Sequence, residues 1–163
     1  MQEIKVINQN LSREALFHAL ESAGIQTNAY ADLIFDHPAY RYTDAEKEIS
    51  IVALTVYDLG LKKGGNFKQI EEAVQLSGYS CCPLEAAPYI RMHCHSQKPA
   101  APKTESGHPP ESILIFSKPM MYSDDFPKGF YLRNTEGTRW LRAYIASDDY
   151  FWEPETQLIV RKL

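Results

Sequence analysis

The sequence predicts one α+β domain over residues 1–163: an N-terminal helical half packed on a small C-terminal antiparallel β-sheet. Three observations predict it. Apolar residues recur at helical spacing, with Ser or Asn starts and Gly stops, through residues 1–95. Short aromatic and β-branched runs fill residues 112–163. A polar, Pro-rich stretch over residues 96–111 separates the two and is expected to be a mobile loop, because compact domains seldom use connectors so long.

The first helix is expected over Ser12 to Ser22, with Ser12 as N-cap, Gly24 as C-cap and a stripe of Leu16, Phe17, Leu20 and Ala23. The second starts after Asn28 and stops before Pro38, since the residue ahead of a proline avoids helical angles. The third opens on the capping box Thr43-Asp44-Ala45-Glu46, carries Ile49, Val52, Ala53 and Val56, and ends at Gly60. Its β-branched content also suits a strand, but length and capping favour a helix. The fourth opens on Asn66-Phe67-Lys68-Gln69 and ends at Gly78. Pro83 would begin one helical turn. Tyr89 to Cys94 alternates like a strand, with Ile90, Met92 and Cys94 on one face.

In the C-terminal half, Ile113 to Phe116 reads as a short buried strand. Phe130–Arg133 and Arg139–Ile145 flank Asn134-Thr135-Glu136-Gly137, a hairpin signal. Gln157 to Arg161 is the last strand.

Composition narrows the function classes. Hydrophobic residues are 44% and charged residues 23%, close to the globular average, which excludes disordered and collagen-like chains. The net charge of −4 disfavours a protein built to hold phosphate backbones, so nucleic acid is not the expected partner. Three cysteines, two of them adjacent, make no disulfide framework and point to reduced thiols and a cytoplasmic setting. No run is long and apolar enough for a membrane span, so no membrane partner is expected. No phosphate-binding loop, dinucleotide fingerprint, nucleophile elbow or zincin motif occurs, and no cofactor is expected.

Four groups of residues could carry chemistry. His93 and His95 would share a strand face and could hold zinc or copper with a thiolate from Cys81 or Cys82. No Cys-x-x-Cys spacing supports that, and the competing reading is two surface histidines beside a buried cysteine. Cys82, ahead of Pro83, could be a nucleophile with His18, His37, His93 or His95 as base; buried structural cysteine is again the competing reading. The acidic pairs Asp124-Asp125 and Asp148-Asp149 could bind a hard metal, though aspartate at a turn ordinarily caps local backbone.

The hairpin is the fourth. One side carries Phe130, Leu132, Leu141, Ala143 and Ile145, an obvious core face. The other carries Tyr131, Arg133, Trp140, Arg142 and Tyr144. Aromatics interleaved with arginines can stack bases, sugars or a peptide. Helices could equally cover that side, with arginine stems packed on the rings.

Thr55-Val56-Tyr57-Asp58-Leu59-Gly60 through Cys82-Pro83-Leu84-Glu85, Asp125–Arg133, Trp140–Tyr144 and Asp148–Pro154 resemble a group of small bacterial proteins without assigned function. Some members carry a helicase label, from which this sequence departs: it has no nucleotide-binding loop and is too short for a motor core. The resemblance implies no catalytic residues. The expected function is therefore a non-catalytic binding or interaction module, using Tyr131, Arg133, Trp140, Arg142 and Tyr144 to hold a protein, peptide or small ligand. The alternative is a small thiol- or metal-dependent enzyme using Cys82 with His93 and His95. A weaker alternative is single-stranded nucleic-acid binding on the same hairpin face.

Overall fold

The computed structural model describes residues 2–100 and 109–163. In chain order the elements are β1 (Ile4–Ile7), α1 (Arg13–Ser22), β2 (Ile25–Thr27), α2 (Ala29–Asp36), β3 (Glu48–Thr55), α3 (Phe67–Leu76), β4 (Tyr79–Ser80), α4 (Ala87–His93), β5 (Ile113–Ile115), β6 (Gly129–Thr135), β7 (Thr138–Tyr144) and β8 (Gln157–Lys162). Short 3₁₀ turns lie at Tyr57–Leu59 and Leu84–Ala86.

The described strands form one curled mixed sheet in the order β1-β3-β8-β5-β6-β7-β2, with β4 also paired to β8. This overturns the expected helical half over a C-terminal sheet. Strands β1 to β4 come from the N-terminal half and interleave with those from the C-terminal half: β3 pairs antiparallel with β8, and β2 parallel with β7. The helices are scattered along the chain between strands.

One expected helix and one expected strand exchange types, each for a physical reason. The segment expected as the third helix is the strand β3. Asp44 takes φ +67°, which no helix start allows, and the Asn10 side chain clamps the Ala45 backbone at 3.0 and 3.1 Å. Ile49 and Ile51 of β3 bury on one face of the sheet, and Val52 and Leu54 on the other. A strand buried on both faces loses its period-two signature. Conversely, Tyr89–His93 lies in the helix α4, started by Pro88 in its first turn, and Cys94 caps its end. Tyr89, Ile90 and Arg91 are all buried, so apolar alternation there was coincidental.

Other starts follow their caps. The Ser12 and Asn28 side chains accept from Ala15 N and Ala31 N at the N-termini of α1 and α2, and Asn66 with Gln69 makes a complete capping box on α3.

Each face of the sheet carries a packed core. Leu16, Leu20, Ile34, Phe35 and Ile90 from α1, α2 and α4 pack on Ile51, Ile115, Phe130, Leu132, Leu141 and Ile159. On the other face, Ile70 and Val74 of α3 join Val52, Leu54, Leu114, Leu158 and Val160. A ten-residue helix is about 15 Å long and can shield only about three strands at 4.8 Å spacing. Helix α3 sits beside β4, which pairs with β8, two strands away from β6. The second face of β6 and β7 is therefore left without a helical cover.

The expected loop 96–111 is held at both described ends. Ala100 pairs with Thr135 beside β6, and Gln97 Nε2 donates to Glu111 O and Leu132 O at 3.1 and 2.8 Å. Its centre lies outside the described residues. Among the described residues no helix is long and apolar enough to cross a membrane.

Candidate functional site

The hairpin turn Glu136-Gly137 has both residues at positive φ, +53° and +86°, as a two-residue turn matched to strand twist requires. Asn134 Oδ1 accepts from Gly137 N at 3.1 Å and fixes that turn. The turn fixes the register: Tyr131 opposes Arg142, and Arg133 opposes Trp140. On the uncovered face each arginine thus stands across from an aromatic ring.

A cleft of about 630 Å³ lies over this face. All five residues of the aromatic–arginine side, Tyr131, Arg133, Trp140, Arg142 and Tyr144, line it. Tyr131 and Arg133 are buried in its floor, whereas Trp140, Arg142 and Tyr144 are half-buried. Arg142 lies over the Trp140 ring, 4.8 Å from its centroid. Among the described residues Arg142 makes no side-chain hydrogen bond or ion pair, and its Nε is buried without a partner.

The opposite wall comes from the loop after β7. Trp152 packs edge-on against Tyr144 at 6.1 Å and against Tyr150 at 4.7 Å. Two backbone hydrogen bonds with Gly65, at 3.0 and 2.8 Å, pin Trp152. Gly64 makes the approach possible: at φ +91° a Cβ there would stand 2.3 Å from Trp152 O. Asn28 closes one end. Its side chain caps α2 and also bonds Ala143 N and O, each at 3.0 Å.

No acidic side chain lines the cleft among the described residues, although the chain as a whole carries −4. Burial pushes the Tyr131 phenol up, while the charges of Arg142 and Arg133 pull it down. Burial pushes the Tyr144 phenol well above the ordinary range. Both stay neutral near pH 7 as O–H groups. The Arg142 guanidinium and the rings of Trp140, Tyr144 and Trp152 are what these residues can offer a ligand.

The other expected residues fall elsewhere. Cys82 is buried, donates its thiol to Ile159 O at 3.7 Å, and is pushed well above the ordinary thiol range, chiefly by burial. A thiol held protonated in this way is inert as a nucleophile. Burial also raises Cys81, to about 11. His93 ends α4 and His95 follows an extended Cys94, so the strand that would have aligned them is absent. Both are exposed, and His95 Nδ1 lies 2.9 Å from Arg139 Nη1. Among the described residues no group of three His, Cys, Asp or Glu side chains is placed to hold a metal. Asp124, Asp125, Asp148 and Asp149 are exposed at turns. His37 accepts from Ala39 N at 3.0 Å, and His18 is on the surface of α1.

Sequence reasoning missed Asn28, Tyr150 and Trp152 as lining residues. The run Tyr150-Phe151-Trp152 was a visible aromatic signal, but only the Gly65 pairing brings it to the hairpin. No protein-family model matches the chain, and neither a curated protein nor a solved structure is significantly similar to it.

Proposed function

We propose that this protein is a non-catalytic ligand-binding module whose site is the cleft over β6 and β7. One observation carries the reading: all five residues of the aromatic–arginine side line a single concave space. The volume of about 630 Å³ falls in the range of small-molecule sites, about 300–1,000 Å³. Concavity favours a small ligand or a short peptide end over a broad protein interface, which is flatter and larger. Rings on three sides supply apolar area, and the arginines supply orientation.

The test is a small-molecule screen read as a rise in unfolding temperature, repeated on Trp140→Ala. Ligand at 100 times its Kd stabilises the folded state by about 2.7 kcal/mol, enough to move the transition by several degrees. Hits on the wild type that vanish in Trp140→Ala support the reading. Hits that persist undiminished in Trp140→Ala place the ligand elsewhere and overturn it.

A further inference from the structure

We infer that the outer edge of β2 receives an extended peptide as an added strand, with basic side chains lying in the groove between β2 and α1. The groove is on the helical side of the sheet, so the inference stands apart from the cleft over β6 and β7. Strand β2 ends the strand order and, among the described residues, pairs with β7 alone. Ala143 of β7 turns its N–H and C=O to Asn28, just past β2. Bonding direction alternates along a strand, so Leu141 and Arg139 face β2 likewise and Gln26 takes their bonds. That turns Ile25 C=O and Thr27 N–H to the outer edge, where among the described residues neither has a hydrogen-bond partner. Ile25 is buried, so its C=O has little water to turn to, and the N–H of an added strand would satisfy it.

The two ends of the sheet differ in a way that matters here. Edge strands invite further pairing, and charges on them discourage it. At the β1 edge Lys5 pairs with Glu48, and Glu3 with Lys162. Ile25-Gln26-Thr27 of β2 carries no charge and no proline. Beside it runs a groove of about 330 Å³. Phe17 and Leu20 of α1 give it an apolar wall, and Glu21 and Asp32 give it charge. No lysine, arginine or histidine lines it among the described residues. Arg13 lies over the Phe17 ring but is tied to Asp36 and Phe35 O, and Arg139 is tied to Ala23 O. The Asp32 carboxylate accepts from Thr27 Oγ1 at 3.1 Å, and among the described residues the Glu21 carboxylate meets no donor. A Cβ at Gly24 would meet nothing within 4 Å, so the groove is open at the start of β2.

Alternate side chains of an added strand point to one face of the sheet, here towards α1. A lysine or arginine there lays its stem on Phe17 and Leu20 and carries its charge to Glu21 and Asp32. Main-chain bonds to Ile25 and Thr27 set the position, and the acidic groove selects the sequence, as in other modes of strand addition. An isolated cation would leave both main-chain groups unmet. The occupant that answers every feature is therefore a peptide segment with basic residues at alternate positions.

The experiment titrates capped hexapeptides into the nitrogen-labelled chain and follows the amide resonances of Ile25 and Thr27. A peptide of alternating valine and lysine should move both, with a Kd of about 1 mM or tighter. The same peptide with glutamate for lysine should bind at least about tenfold more weakly, since attraction to two carboxylates becomes repulsion. Only one alternate set of peptide nitrogens can face β2. Methylating that set should weaken binding at least about tenfold, and methylating the other set should weaken it less. Glu21→Lys should weaken the lysine peptide at least about threefold; should that variant unfold, the peptide series on the wild type decides alone. Equal binding of the lysine and glutamate peptides overturns the inference, as does equal binding of the two methylated peptides and the parent. Movement of the Trp152 indole resonance without the β2 amides places the peptide in the cleft and overturns it too. Unmoved β2 amides at millimolar peptide overturn it and leave the cleft reading intact.

Discussion

Arg91 is the side chain on which the hairpin's geometry depends most heavily. It is fully buried on the helical side of the sheet, and among the described residues no carboxylate pairs with it. Its Nη1 donates to Gln97 Oε1 at 2.6 Å, Trp140 O at 3.2 Å and Arg133 O at 3.4 Å, and its Nη2 to Cys94 O at 2.6 Å. Arg133 and Trp140 face each other across β6 and β7, so one guanidinium holds the backbone of two cleft residues from behind. Burial pulls its pKa down to about 10, which leaves it a cation at neutral pH. In Arg91→Ala, Cys94 O and Gln97 Oε1 lose their donor inside the protein, at about 1–3 kcal/mol each. The lost stem adds a cavity, and release from the cation's own desolvation offsets part of the total. The expected net loss is about 3–5 kcal/mol, read as a lower urea midpoint at unchanged slope. For a chain of this length that is a drop of roughly 6–20 °C in Tm. Arg91→Met keeps the stem and removes the charge, and should recover at least half of the loss. A loss under about 1 kcal/mol in Arg91→Ala would refute the reasoning, as would Met performing no better than Ala.

Three further outcomes are expected. Gly64→Ala should cost more than about 2 kcal/mol, because φ +91° is strained for alanine and its Cβ would meet Trp152 O; the emission of the tryptophans should shift as that wall moves, and unchanged stability and emission would contradict the close approach. Asn28→Ala removes a helix cap and two bonds to β7, and should cost about 2–3 kcal/mol in denaturant unfolding, against a few tenths if the strand end is held by other contacts. The Cys81 thiol has a folded pKa near 11 against an ordinary value of 9, so its contribution is fully present below pH 9 and lost as pH rises towards 11. The wild type should therefore lose stability relative to Cys81→Ser between pH 8.5 and 11 in paired urea titrations, and parallel curves would show an unperturbed thiol.

Local signals in this sequence were legible wherever a cap, a turn or a short bounded β-branched run marks the element. The caps Ser12, Asn28 and Asn66, the hairpin turn and the last strand all appear at or within a residue or two of their expected places. The pattern failed in β3 and α4. Strand β3 places Ile51 and Val52 in opposite cores, and α4 buries five consecutive residues, so neither period survives. Strands β1, β2 and β4 are two to four residues long, too short for any periodicity, yet they carry the N-terminal half into the sheet. That is why the fold class was misjudged although most elements were not. The aromatic–arginine side was readable from alternation alone. Its concavity was not, since that depends on where α3 stops covering the sheet and on the pairing of Trp152 with Gly65.

The most direct measurement uses the placement of the tryptophans. The chain has two, Trp140 and Trp152, and both line the cleft. Their indole N–H resonances in a nitrogen-labelled sample report on opposite walls of one site. Titration with a hit from the thermal screen should move both resonances along a single saturation curve. Saturable binding that leaves both indoles unmoved would put the ligand outside the cleft and contradict the account.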